Sequence, residues 1–193
     1  MVTDRIVTVP NMLSLARLCL SVVLFVLIEW QSWTAATVLF VVAASTDWLD
    51  GWYARRFQQV SRLGRIFDPL VDKVIICGTW MLVAERSGPI APWMALVVVL
   101  RELIVTAIRG EMERTGRDFS AAWSGKLKML LQCLAVGVVL GARAWPEWRP
   151  GGIDLPTAGA VLAWAAVAAT IWSGVEYVLA ARVLVAGSAG DRA

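Results

Sequence analysis

The sequence predicts an all-α integral membrane protein of six transmembrane helices, and three observations carry that expectation. Of its 193 residues, 59% are hydrophobic and 17% charged, where a soluble domain has about 45–50% and about 25%; mean hydropathy is +0.67. The apolar residues are gathered into long runs rather than dispersed, as a bilayer span requires. Those runs also lack the alternation of a barrel strand, and an open sheet edge cannot face lipid, so the helix is the default.

The first apolar run, residues 13–28, follows Asp4, Arg5 and Pro10 and contains Arg17. It has no clear small-residue cleavage site, so it reads as a retained helix and not as a signal peptide. The second, 33–49, follows "EWQSW"; the third, 69–84, runs into "ERSGPIAPW"; the fourth, 91–108, holds Arg101 and Glu102. The fifth, 127–141, ends in "GARAWPEWRPGGIDLP", and the sixth, 155–185, is long enough to emerge into water before its charged end. Several runs fall short of the roughly 20 residues of an ideal span, so polar residues are expected to complete their turns. There is no internal repeat and no sign of a second domain: residues 1–186 read as one membrane domain and 187–193 as a short flexible tail.

Charge sets the orientation. Of 18 basic residues, only Arg86, Arg143 and Arg149 fall in the three interruptions just quoted, whereas "ARRFQQVSRLGR" and "RGEMERTGRDFSAAWSGKLK" are rich in Lys and Arg. The positive-inside bias then puts both termini and the basic loops in the cytosol, consistent with an even number of spans in the inner (cytoplasmic) membrane. Arg56, Arg62 and Arg65 suit topology and anionic-lipid contacts, and Lys128 reads as an ordinary cytosolic flank. No nucleic-acid partner is expected. The 11 tryptophans suit membrane interfaces and packing. Cys19, Cys77 and Cys133 sit singly in apolar runs and read as small buried hydrophobes, not as disulfides or zinc ligands. Histidine is absent. That excludes Ser-His-Asp and Cys-His nucleophiles and histidine metal sites, and leaves acid–base or metal chemistry to carboxylates.

Four carboxylates stand where the second run ends and the third begins. Asp47 and Asp50 are three apart, Asp68 and Asp72 four apart, so each pair shares a helical face. The connecting segment, with Gly64, is long enough to turn back and bring all four together. They cannot share a site at neutral pH unless their repulsion is neutralised. An all-oxygen set without His or Cys favours a hard ion, Mg²⁺ or Mn²⁺. The competing reading is a set of helix caps and ion pairs with the nearby arginines.

The spacing Asp47-x2-Asp50-Gly51-x2-Ala54-Arg55-x8-Gly64-x3-Asp68-x3-Asp72 resembles the signature of the CDP-alcohol phosphatidyltransferase family, D-x2-D-G-x2-A-R-x8-G-x3-D-x3-D, at every fixed position. "VPNMLSLARL" and "RELIVTAIRGEMERTGRDFSAAWSGKLKMLLQ" are similar to the branch that makes phosphatidylglycerophosphate. Met129 departs from it, standing where a threonine or similar small polar residue is expected. The resemblance covers residues 5–133.

The resemblance implies six membrane helices, a homodimer, and metal-dependent transfer from a CDP-linked donor with release of CMP. Asp47, Asp50 and Asp68 are then the metal ligands, of two ions by the usual clamp, and Asp72 the general base, touching the second metal too. Gly51 would lie beside the cytidine, the fork of Arg55 would match the diphosphate, and Asn11 and Ser61 would add contacts to CDP-diacylglycerol. For a phosphorylated acceptor, glycerol 3-phosphate, the basic residues are Arg101, Arg109 and Lys126, with Arg17 facing the same polar cavity. An internal ion pair with Glu102 is the other reading of Arg101. Two alternatives stay open: a cardiolipin synthase of the same family with phosphatidylglycerol as acceptor, and a small cation transporter.

Overall fold

In the computed structural model the described residues form six α-helices and one 3-10 turn, with no strand among them. The structure describes the backbone of residues 9–57, 64–86, 88–114 and 123–190, and the side chains of 12, 15–45, 70–86, 88–112 and 123–182. The helices are α1 Val9–Glu29, α2 Trp33–Phe57, α3 Gly64–Arg86, α4 Pro92–Arg114, α5 Trp123–Ala144 and α6 Leu155–Gly190. They outrun the apolar runs, because polar residues at their ends continue the helical turns. The sixth also continues through Gly190, past the tail expected from residue 187. Its closing "VLVAGSAG" holds no proline to break the helix.

Local chemistry sets the helix ends. After α1, Gln31 takes a left-handed φ of 57°, the amide of Ser32 reaches the carbonyl of Leu27 and that of Gln31 the carbonyl of Ile28. This is a Schellman closure made without glycine. Pro92 opens α4, where its missing N–H costs nothing. Gly151 and Gly152, at φ 61° and 79°, make the turn ahead of α6 that side chains would resist. Asp154 caps α6, accepting from the Thr157 hydroxyl at 2.7 Å and the Thr157 amide at 3.0 Å. Those two bonds hold its carboxyl below the usual carboxylate range, the hydroxyl contributing most. The cap is therefore complete above that range and fails only as pH falls through the lowered value.

The helices close a ring in the order α1, α2, α5, α6, α4, α3, with α3 also meeting α5 across the middle. α5 and α6 share the most extensive interface, where Gly159 lets the backbones approach: a Cβ there would lie 2.8 Å from Val139 Cγ2. Gly78 does the same for α3 against Phe25 of α1. The buried apolar core draws on the second half of α1, α3 and α5 (Leu24, Ile28, Trp80, Val83, Val136, Leu140) and the first half of α2, α4 and α6 (Phe40, Met94, Val98, Ala163, Val167). Among the described side chains this cluster lies toward one end of the bundle. At that end Arg86 pairs with Glu29, and Arg143 donates to the Arg86 carbonyl at 3.0 Å while covering the Trp33 ring at 5.7 Å.

The outer surface is largely apolar, and charged side chains are buried inside beside the apolar core. Val22, Val26, Val41, Leu96, Leu103, Leu130, Val161, Ile171 and Leu179 face outward, while Arg17, Arg101, Glu102, Lys128 and Gln132 are buried. Apolar side chains outward with charged ones turned inward suit lipid as the surrounding solvent. Among the described residues two helices are long and apolar enough to cross a membrane, Trp123–Ala144 and Leu155–Arg182. α4 carries buried Arg101 and Glu102 midway, an inward charge that composition alone counts against a span. Cys19, expected to be buried, is exposed on this outer face, and Cys77 and Cys133 are half-buried. A lipid-facing position suits an apolar thiol as well as a protein core does.

Candidate active site

Toward the other end of the bundle lies a cavity of about 270 Å³ between α3, α4, α5 and α6. Among the described residues five cationic side chains line it (Lys73, Arg101, Arg109, Lys126 and Lys128) against two carboxylates, Asp72 and Glu102, an excess of three positive charges in that set. Depth follows helix position. Gly125, Lys126 and Arg109 lie toward the helix ends at residues 114 and 123, and Arg101, Gln132 and Ile76 lie nearer the apolar core.

Glu102 organises the deeper cations. Its Oε1 accepts from Arg101 Nη1 at 3.1 Å and also pairs with Lys128 Nζ from α5, all three groups about 10% exposed or less. Removal of three charges from water is tolerated because each has a partner. The ion pair expected as the alternative for Arg101 is therefore present, and Arg101 lines the cavity as well. Lys128 corrects the sequence reading: it is 7% exposed and turned inward, not a solvated flank. It begins the buried stripe of α5, opposite Glu102, and the attraction of that carboxylate outweighs an exit to the surface.

One deep and one outer cation share an aromatic partner. Arg101 and Arg109 stand over the Tyr177 ring at 5.4 and 5.7 Å, and Arg109 Nη2 donates to its hydroxyl at 3.3 Å. The electron-rich ring face holds two like charges side by side, which keeps both guanidinium groups at the cavity. Tyr177, like Lys73 and Gln132, was not singled out by the sequence. Tyr177 lies in the last helix, recognised there only by hydropathy, and Lys73 reads as a routine neighbour of Asp72.

Asp72 stands at a junction. Its Oδ1 accepts from Arg17 Nη1 of α1 at 2.6 Å, and together with Ile76 and Met129 it lines both the cationic cavity and a second, smaller one of about 50 Å³. The smaller cavity is walled by Arg17, Phe40, Ala43 and Ala44, on the α2 side. Arg17 thus joins Asp72 from the side opposite Arg101, Arg109 and Lys126, and those three come together as expected. Met129, the departure in the sequence, forms part of the partition.

The remaining predicted site residues fall beyond the described side chains. Asp47, Asp50, Gly51 and Arg55 belong to the last turns of α2, Asp68 to the start of α3 and Asn11 to the start of α1, with backbone alone described; Ser61 lies outside the described residues. Among the described residues no group of three metal-ligating side chains occurs.

A helical bundle with an apolar exterior and an anion-attracting pocket beside a carboxylate signature defines a lipid-modifying membrane enzyme of phosphoryl-transfer type. The chain belongs to the CDP-alcohol phosphatidyltransferase family, whose model matches residues 7–172. It is 36% identical over 183 residues, covering 90% of this chain and 94% of each relative, to proteins of Escherichia coli strain K12, Shigella sonnei and Shigella flexneri serotype 5b. Each of these is named CDP-diacylglycerol–glycerol-3-phosphate 3-phosphatidyltransferase.

Proposed function

We propose that the chain transfers a phosphatidyl group from CDP-diacylglycerol to glycerol 3-phosphate, giving phosphatidylglycerophosphate and CMP. The observation that carries this is the position of Asp72 on the partition between a cationic cavity and the space beside α2. A phosphorylated acceptor suits the first, where the excess positive charge matches a phosphate dianion. The donor diphosphate belongs on the α2 side, where the signature begins. The acceptor oxygen forms the new bond to phosphorus, the bond to CMP breaks, and the hydroxyl proton passes to the Asp72 carboxylate. Arg17 holds that carboxylate in place.

Asp47, Asp50, Asp68 and Asp72 would hold Mg²⁺ or Mn²⁺, two ions in our reading. The fit rests on donor chemistry: four hard oxygen ligands in the signature and a half-buried Asp72 turned to the cavities. When bound, the ions supply charge neutralisation at the diphosphate. Arg55 grips the diphosphate, Gly51 admits the cytidine, and Asn11 and Ser61 contribute donor contacts. The remaining features of the reading are six spans with both termini cytosolic, a membrane domain over 1–186, residence in the inner (cytoplasmic) membrane and a homodimer.

The test is CMP release by purified protein from CDP-diacylglycerol with each acceptor in turn, with and without chelator. Glycerol 3-phosphate should support turnover that chelation abolishes and Mg²⁺ or Mn²⁺ restores. Turnover with phosphatidylglycerol alone would make the protein a cardiolipin synthase. No CMP release with any alcohol would remove it from transferase chemistry.

A further inference from the structure

Deep in the cationic cavity is a polar group that neither the ion pairs nor the aspartates account for. Gln132 is fully buried on α5, one turn beyond Lys128, and lines the cavity. Its Nε2 donates to Thr170 Oγ1 of α6 at 2.9 Å. The proton of that hydroxyl already goes to the Ala166 carbonyl at 2.6 Å, so toward Gln132 the hydroxyl only accepts. This fixes the amide: nitrogen toward α6, oxygen away from it. Gln132 Oε1 is buried and has no hydrogen-bond partner. A buried carbonyl oxygen ordinarily has a donor. Of the neighbouring protein donors, Arg101 Nη1 and Lys128 Nζ pair with Glu102 and Arg109 Nη2 with Tyr177, while Arg101 Nε, itself buried without a partner, does not bond to it.

We propose that Gln132 Oε1 accepts a hydrogen bond from the secondary hydroxyl of the three-carbon phosphorylated acceptor and so determines acceptor specificity. The proposal rests on the glycerol 3-phosphate reading and deepens it. That molecule offers a phosphate, a primary hydroxyl that reacts, and a secondary hydroxyl between them. The cations of α4 and α5 take the phosphate, Asp72 faces the reacting hydroxyl, and the middle group needs an acceptor in the same cavity. An amide supplies one without adding the negative charge that a carboxylate would set against the phosphate. Thr170 orients it and does not itself reach the acceptor.

The experiment compares glycerol 3-phosphate with 3-hydroxypropyl phosphate, which keeps the phosphate and the primary hydroxyl but lacks the middle one. CMP release is measured with the wild type and with Gln132→Met, which keeps side-chain length. Wild-type kcat/KM should favour glycerol 3-phosphate by about 10²-fold, since a site built for a hydroxyl rejects the analogue lacking it. In Gln132→Met the value for glycerol 3-phosphate should fall to that of the analogue, so the ratio approaches one. A wild type that uses both acceptors equally overturns the proposal without any variant. So does a Gln132→Met protein that loses activity on both in proportion, because damage to α5–α6 packing would act alike on the two. If the wild type turns over with neither acceptor but does so with phosphatidylglycerol, the functional reading itself has failed and this proposal with it.

Discussion

Replacing Glu102 with glutamine removes one negative charge and leaves two buried cations facing each other. Arg101 Nη1 sits 3.1 Å from Glu102 Oε1, and both side chains are about one-tenth exposed. At an effective dielectric of about 20, a unit pair at that distance is worth about 5 kcal/mol. The glutamine oxygen still accepts a hydrogen bond, so part of this is kept, and the expected loss is about 3–5 kcal/mol, as for other broken buried pairs. In a chain of this size each kcal/mol lowers Tm by about 2–4 °C, so the Tm should drop by roughly 6–20 °C. The assay is tryptophan-fluorescence melting of purified protein in one detergent. Glu102→Gln combined with Lys128→Met removes one orphaned cation and should recover much of the loss. A Tm unchanged by Glu102→Gln, or a double variant no better than the single, would refute the view that Glu102 neutralises the deep cations.

Asp72→Asn should lower kcat by roughly 10²–10⁴ while donor affinity at fixed Mg²⁺ survives; near-normal turnover would remove Asp72 from the base role, and lost donor binding would recast it as chiefly a metal ligand. Arg109→Ala or Lys126→Ala should raise KM for glycerol 3-phosphate far more than for CDP-diacylglycerol; loss of donor affinity alone would assign the cavity to the other substrate. Gly78→Ala brings a methyl to 2.3 Å from Phe25 Cζ and should cost about 1–3 kcal/mol in the same melting assay; no change would mean that the α1–α3 contact gives way freely.

The helices were legible because apolar runs and their polar ends report the solvent of each segment directly. The aspartate signature was legible because its spacing lies within two consecutive helices. Arg101, Arg109 and Lys126 could be grouped because they flank one loop. What escaped depends on which helices meet. Lys128 is one basic residue among several until Glu102 is known to face it across α4 and α5. Tyr177 is a lone aromatic in an apolar helix until α6 is seen beside α4. Gln132 gains meaning only from the hydroxyl of Thr170, 38 residues later. Arg17 was assigned to the acceptor on charge alone. Its partner Asp72 lies 55 residues away, and only the packing of α1 on α3 brings the two together.

The one-ended core has an electrical consequence. A pocket with surplus charge would be a hazard in an energised membrane if it continued to the far side, since each elementary charge crossing 100 mV exchanges about 2.3 kcal/mol. Beyond Gln132 the ring is filled by Trp80, Val83, Val98, Val136, Leu140 and Val167, each at most 2% exposed. That plug is a dielectric barrier in series with the lipid around it. Among the described residues it leaves the cavity's charges no open route to the far end of the bundle.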